Sequence, residues 1–297
     1  NQYPDKHPFE DAPAEILDDE ELMLDCFEYD YAECFKFCSY RLRNKKDLSL
    51  RLLPQNTNDE FEKLTQTFNE MLEWIENSVN NIKQFSSDAS HELRTPLTII
   101  QGEIELYKKG DLSKEEIDET LASIDFEQKK LQNIIKDFLL LAKLDKEILS
   151  DEKSLLDKVI FDVIELNLME MEKKNLELEL DIDENLEILF NEKYLFIVIN
   201  NLVTNAIKYT EKGTIQIEAK IKEDKPYFLI KDTGIGIPKK DFSKIFERFY
   251  RVDEVRTNSQ DGIGLGLAIV KKICESFKYK IKVESEENKG TIFLIFK

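Results

Sequence analysis

Charge, hydrophobic spacing and punctuation predict a multidomain chain. An all-α helical hairpin, paired with a second copy as a dimeric four-helix bundle, should be followed by an α/β domain. Between residues 61 and 142 apolar side chains recur at steps of three and four, the spacing of long bundle helices. A glycine at 110 and a Ser113/Glu116 pair cut that stripe into two arms. Beyond residue 150 the pattern changes to alternating strands and helices, as in an α/β domain.

The length of 297 residues fits about two domains with a sizeable core. The 42 basic against 61 acidic side chains leave a net charge of −19, which repels nucleic-acid phosphates and argues against a DNA or RNA partner. Cys26, Cys34, Cys38 and Cys274 are too few for a disulfide framework and point to a reducing compartment. Cys34 and Cys38 would share one helical face, and His7 lies upstream, but buried free thiols outweigh a metal or redox site there. No run of 18 or more apolar residues and no signal peptide occurs, and any membrane anchor is expected upstream of Asn1.

Residues 1 to 33 carry twelve acids against one lysine and three prolines, a composition that resists packing. From Phe61 the seam runs through Leu64, Phe68, Met71, Ile75, Ile82 and Phe85, then in steps of four through Ala89, Leu93 and Leu97. In the stretch SSDASHELRTPLTII, His91 falls about 200° from both Ala89 and Leu93 at 100° per residue, which turns it away from the seam into solvent. The first helix should stop near Lys108, Lys109 and Gly110. A second starts at a Ser113/Glu116 capping box, with Leu112 and Ile117 as its staple. It continues through Leu121, Ile124, Leu131, Ile135, Phe138 and Ala142 to about residue 146. One hairpin cannot cover both stripes, so a homodimer is expected. The α/β part should hold strands at 176–182, 186–190, TIQIEAKI, PYFLIKD, YKIKVES and GTIFLIF, with helices at 193–209 and after Gly266.

Three stretches of the α/β part look chemical. In NNLVTNAIKYT, Asn201, Asn205 and Lys208 share one helical face, while Leu202, Ala206 and Tyr209 make another. Two amides and an ammonium suit a metal-bound triphosphate, although for this stretch alone a solvated polar face is the weightier explanation. In KDTGIGIPKKD, Asp232 at a strand end can accept a bond from an exocyclic amine. Gly234 and Gly236 would let the backbone approach a flat ligand, and a tight turn is an adequate alternative. In DGIGLGLAIVKK, Gly262, Gly264, Leu265 and Gly266 lead into a helix whose amides can face phosphate oxygens. No βαβ unit follows, so a dinucleotide-binding reading is poor.

Taken in order, these stretches resemble the sensor histidine kinases of two-component systems over about residues 58 to 297. The phosphoacceptor box is SHELRTPL, the asparagine box NLVTNAIKYT, the first glycine box DTGIGIP, the phenylalanine box FERFYRVD and the second glycine box GIGLGL. NDEFEKLTQTFNEMLEWIE, with DLSLRL before it, resembles part of a HAMP relay module. Two departures are Ile263, where the family has Thr or Ser, and FKYK at 277–280, which lacks the usual glycine turn. The resemblance implies four regions: an acidic, aromatic-rich segment at 1–40, a HAMP-like relay at 41–80, a dimerisation and phosphotransfer domain at 81–149, and an ATP-binding α/β sandwich of the GHKL (Bergerat) type at 150–297.

By the same resemblance, His91 takes the γ-phosphoryl group of ATP and passes it to an aspartate in the receiver domain of a response regulator. A free imidazole is largely neutral at neutral pH and can act as nucleophile. Glu92 would be its base, Thr95 would place water for dephosphorylation of the regulator, and Pro96 would let the helix bend. Asp232 would read the adenine amine, Asn205 would hold Mg²⁺, Asn201 and Lys208 would support the phosphates, and Arg251 would meet the transferring group. Tyr209, Gly234, Gly236, Gly262, Gly264, Leu265 and Gly266 complete the nucleotide set. ATP-hydrolysing relatives place a general-base glutamate four residues before the metal-binding asparagine. Here that position is Asn201, which cannot take a proton. A non-catalytic dimeric scaffold is the remaining alternative, and a membrane-anchored sensor is the expected setting.

Overall fold

The computed structural model describes residues 48–49, 51–52, 60–110, 112–144, 152–223, 225–252 and 263–297. The expectations for residues 1–40, His7, Cys26, Cys34, Cys38 and Gly262 lie outside them. The chain divides into two compact units, Asn1–Ser87 and Asp88–Lys297.

Helix α1 (Glu60–Lys109) opens with Glu60 and Glu62 and closes with Lys108 and Lys109, each sign matched to its helix end. In the first unit the Asn69 amide clamps the Leu52 peptide. It accepts from the Leu52 N–H at 2.8 Å and donates to the Leu52 carbonyl at 2.8 Å. Arg51 pairs with Glu76 at 2.7 Å, and Leu52, Thr65 and Leu72 are buried. Leu64 and Met71 of the expected seam stay exposed.

In the second unit α1 stops where the sequence says it should. Gly110 turns to φ +81°, a region in which glycine has no Cβ penalty, and its N–H bonds the Tyr107 carbonyl at 3.2 Å. Helix α2 (Lys114–Leu144) follows behind the predicted capping box. The Ser113 N–H donates to Glu116 at 2.7 Å, and the Glu116 N–H donates to the Ser113 hydroxyl at 3.3 Å. These bonds hold the Glu116 carboxyl below its usual range. Ser123 donates to Glu103 at 2.8 Å across the hairpin. Helix α1 runs unbroken through Pro96, which is buried.

The stripe on α2 differs from expectation. Its buried residues are Thr120, Glu127, Ile134, Leu141 and Leu144. Ile117, Ile124, Leu131 and Phe138 are half-buried, while Leu121, Ile135, Leu139 and Ala142 are exposed. Heptad rows three residues apart face inward, and the neighbouring apolar row is left open.

The α/β part begins with two elements absent from the sequence expectation: β1 (Lys153–Leu155) and helix α3 (Leu156–Lys173). Leu156, Val159, Ile160, Val163, Ile164 and Met171 of α3 form a buried helical stripe. Exposed Phe161, Leu166, Leu168 and Met169 blur that period in the sequence. Then come β2 (Glu177–Ile182), β3 (Glu187–Leu189), α4 (Glu192–Tyr209), β4 (Thr214–Lys222), β5 (Lys225–Asp232), α5 (Gly266–Ser276), β6 (Lys280–Glu286) and β7 (Gly290–Phe296). The five-stranded sheet is ordered β2-β4-β5-β7-β6, parallel only between β2 and β4, and β1 pairs with β3 apart from it. Helices α3, α4 and α5 bury their apolar faces with Ile215, Ile217, Phe228, Ile230 and Ile295 of the sheet. Lys278 takes φ +59° where the family's glycine turn is missing, so a lysine makes that left-handed turn. Cys274 is buried and free, and burial pushes its thiol up to about 12, which leaves it inert. The end of α2 belongs to this core through Leu141 and Leu144.

Candidate functional site

One cleft of about 780 Å³ lies in the second unit, and six separated segments of the α/β part open onto it with one face of α2. Buried Asp232 is part of its lining. Strand β5 is central, between β4 and β7, so its last residue arrives buried, in register with Ile215 and Thr291. The Gly234 N–H donates to Asp232 Oδ1 at 2.9 Å and the Thr291 N–H at 3.2 Å. Burial pushes the carboxyl above its usual range, and the two amides pull the other way. Both bonds fall on one oxygen, which leaves Oδ2 as an acceptor for a ligand.

The glycines of the site are closely packed by neighbouring backbone and side chains. A Cβ on Gly234 would strike the Tyr209 carbonyl, and one on Gly236, at φ +70°, would strike the Glu286 carbonyl. Their missing side chains also serve chain-to-chain packing, since a Cβ at either would meet neighbouring backbone, while Gly236 still lines the cleft. The Asn288 N–H then bonds Ile235 O at 2.7 Å and fixes the loop. Gly264, at φ +78°, would bring a Cβ within 2.8 Å of the backbone of Phe249 and Tyr250. Gly266 begins α5 against the Asn201 amide oxygen, 2.6 Å from where a Cβ would stand.

Asn201, Asn205 and Lys208 of α4 do share one face and all line the cleft. Asn201 Nδ2 donates to the Ile197 carbonyl at 2.8 Å, and Lys208 Nζ lies 4.9 Å from the Tyr209 ring centroid. The half-buried Asn205 amide makes no hydrogen bond within the described residues, so its oxygen is available to a hard cation. Among those residues no cluster of three His, Cys, Asp or Glu could hold a metal alone. Arg251, Leu265, Gly264 and Gly266 line the same cleft, as do Tyr209, Asp232 and Gly236; Gly234 stands behind Asp232.

Three supports were not foreseen. Lys174 Nζ donates to Ile207 O at 2.6 Å, Lys208 O at 3.1 Å and Thr210 O at 3.4 Å, and so satisfies the end of α4. Tyr250 donates to buried Asp241 at 2.7 Å, which ties the segment before Arg251 to the turn at Lys239–Asp241. Helix α2 supplies a wall through Phe126, Lys129, Lys130, Asn133 and Asp137. Phe138 meets Phe249 edge-on at 6.0 Å, and the Phe249 N–H bonds the Gly264 carbonyl at 2.9 Å. The contacts of Lys174 and of α2 join residues far apart in the chain, which no local pattern reports.

His91 is exposed on α1, as its helical phase predicts, beside half-buried Glu92. Thr95 donates to the His91 carbonyl at 3.4 Å, one turn on. None of the three lines the cleft.

Residues 190–297 match the family described as histidine kinase-, DNA gyrase B- and HSP90-like ATPase, and residues 81–147 match the His Kinase A (phospho-acceptor) domain. The signal transduction histidine-protein kinase ArlS of Staphylococcus aureus is 39% identical over 252 residues, 82% of this chain and 55% of that protein. The chain thus spans about half the length of the curated relatives it matches. The solved histidine kinase AdeS of Acinetobacter baumannii has a TM-score of 0.56 at 25% identity, over 69% of this chain and 96% of that one. Histidine kinase ThkA, solved with response regulator protein TrrA, shares the fold with a TM-score of 0.61 at 24% identity, over 74% of this chain and 63% of that one.

Proposed function

We propose that this chain, which belongs to the sensor histidine kinases of two-component systems, phosphorylates its own His91 from ATP and passes the group to an aspartate of a response regulator. The carrying observation is the gathering of Asp232, Asn205, Lys208 and Arg251 into one cleft while His91 stays exposed on a separate helix.

In this reading Asp232 Oδ2 accepts from the adenine amine, held in place by the two amides on Oδ1. Lys208 and Arg251 meet the phosphates, and the start of α5 at Gly266 adds its positive end. Mg²⁺, carried on the nucleotide and held by Asn205, would neutralise charge on the β- and γ-phosphates. A ring nitrogen of His91 attacks the γ-phosphorus, the bond to the ADP oxygen breaks, and Glu92 accepts the imidazole proton. Because His91 does not line the cleft, the ATP domain must move to it or arrive from a second copy. Thr95 stands ready to orient water for the reverse reaction on the regulator.

Hydrolysis without a phosphohistidine is the weaker reading. At the position of the general base stands Asn201, whose amide nitrogen is spent on the Ile197 carbonyl. A scaffold without catalysis would have no use for an aspartate buried at a strand end in a cleft. The Asn69 bonds to the Leu52 peptide, which tie the segment before α1 to that helix, fit a HAMP-like relay at 41–80, and in this reading these domains lie on the cytoplasmic side of a membrane-anchored sensor.

Incubation with Mg-ATP labelled at the γ position is expected to leave acid-labile, base-stable label on the chain. Acid-stable label, or phosphate released with none bound, would overturn the assignment. The open row of Leu121, Ile135 and Leu139, the last 67% exposed, fits a second copy. Light scattering at micromolar concentration is therefore expected to give about twice the 34.9 kDa chain mass. A mass equal to one chain would contradict the four-helix bundle.

A further inference from the structure

We propose that Asp137 is a charge gate on the nucleotide cleft, its carboxylate disfavouring a triphosphate while helix α2 lies against the ATP domain. The proposal rests on the reading of this cleft as an ATP site.

Helix α2 presents one face to the α/β part. Lys130, Asn133, Asp137, Leu141 and Leu144 follow at steps of three and four, so they lie in one row. The first three line the cleft, and the last two belong to the α/β core. Asp137 sits where the polar half of the row meets the apolar half, which is why it is half-buried.

Its place along the cleft follows from its neighbours. Phe138, next in the chain, lies edge-on to Phe249, and the Phe249 N–H holds the Gly264 carbonyl. Helix α2 also packs on α5, which opens at Gly266. Asp137 therefore stands at the glycine-loop end, where phosphates come, and not at the Asp232 end, where adenine would sit.

Among the described residues Asp137 makes no hydrogen bond and no ion pair. Burial pushes its carboxyl up to about 6. The charged groups that share the cleft are Lys129 and Lys130 on its own helix, Glu170 and Lys174 at the end of α3, Lys208 on α4, Asp232 on β5, and Arg251. Lys129 is engaged by Asp125 at 2.6 Å, Lys130 lies 3.9 Å from Glu127, and Lys174 is spent on carbonyls. Lys208 and Arg251 remain to meet the phosphates, and Asp137 opposes them with a carboxylate that makes no ion pair among the described residues.

The sign follows. Ionised above about 6, Asp137 repels a triphosphate and opposes its own burial under α2. Protonated below that value, it does neither, so the docked arrangement gains stability as pH falls through about 6.

The test is equilibrium binding of ATP and adenosine to the unsubstituted chain, Asp137→Asn and Asp137→Glu, at a pH well above and a pH below the Asp137 value. A unit charge at roughly 10 Å in an effective dielectric near 20 changes affinity by about tenfold. Asp137→Asn is accordingly expected to bind ATP about tenfold tighter at the higher pH and to lose most of that advantage at the lower one. Adenosine affinity should not change, and Asp137→Glu should behave as the unsubstituted chain. Equal or weaker ATP binding by Asp137→Asn, or an equal gain for adenosine, would overturn the gate alone. An unsubstituted chain that binds no ATP would overturn the reading of the cleft, and the gate with it.

Discussion

Glutamine at His91 is expected to abolish acid-labile label altogether, whereas glutamine at Glu92 should slow its appearance by roughly 10² to 10⁴ without touching ATP affinity. An amide cannot be phosphorylated at nitrogen as an imidazole can, so His91→Gln removes the acceptor itself. Glu92→Gln keeps the shape and removes the group that takes the imidazole proton. Neither residue lines the nucleotide cleft, so nucleotide titrations of both variants should superimpose on the unsubstituted chain. Because His91 is exposed and Glu92 only half-buried, neither substitution empties a core, and melting temperatures should hardly move. Single-turnover labelling gives the rates. A loss of ATP affinity in Glu92→Gln would break the separation between the phosphoacceptor helix and the binding domain. Full-speed labelling in that variant would remove Glu92 as the base.

That separation was legible because it depends on short-range signals. The phase of His91 against Ala89 and Leu93 predicts its exposure, and Gly110 with the Ser113/Glu116 box predicts the hairpin turn. Each is settled within a few residues by helix geometry and capping. Six strands are legible for the same reason, as short runs rich in apolar and β-branched residues set off by turn residues. What the sequence hid lies at long range. Asp232 was singled out, but its second amide donor is Thr291, 59 residues on, and only the β5–β7 register brings the two together. That the missing Cβ atoms of Gly234 and Gly236 also make room for the Tyr209 and Glu286 backbone is equally a long-range matter. Helix α3 escaped because exposed Phe161, Leu168 and Met169 mask its buried stripe. The wall formed by α2 depends on how the hairpin meets the α/β core, and no local pattern reports that.

Asp232→Ala is expected to weaken ATP binding by roughly tenfold or more, because a buried amine left without its acceptor costs on the order of 1 to 3 kcal/mol. The alanine variant also strips the Gly234 and Thr291 amides of their partner, so part of its effect will be lost stability. Asp232→Asn separates the two effects. Its carbonyl oxygen can keep both amide bonds, while its NH₂ turns a second donor toward the adenine amine, so it should fold normally and still bind ATP poorly. Burial raises the folded-state pKa of Asp232, so its ionisation works against the native state as pH rises through that value. Removing the charge should then leave Asp232→Asn at least as stable as the unsubstituted chain at neutral pH. Nucleotide binding runs the other way. Below the raised pKa, Oδ2 becomes a donor and can no longer receive the amine, so affinity should fall at a pH above the ordinary carboxylate value of 3.8. GTP, with a carbonyl at the position of the amine, should bind poorly to the unsubstituted chain and gain in Asp232→Asn. Calorimetric titrations of ATP and GTP with the two variants, next to their melting curves, decide the matter. Unchanged ATP affinity in Asp232→Asn would mean that the buried carboxylate serves the loop at Gly234 and not the ligand.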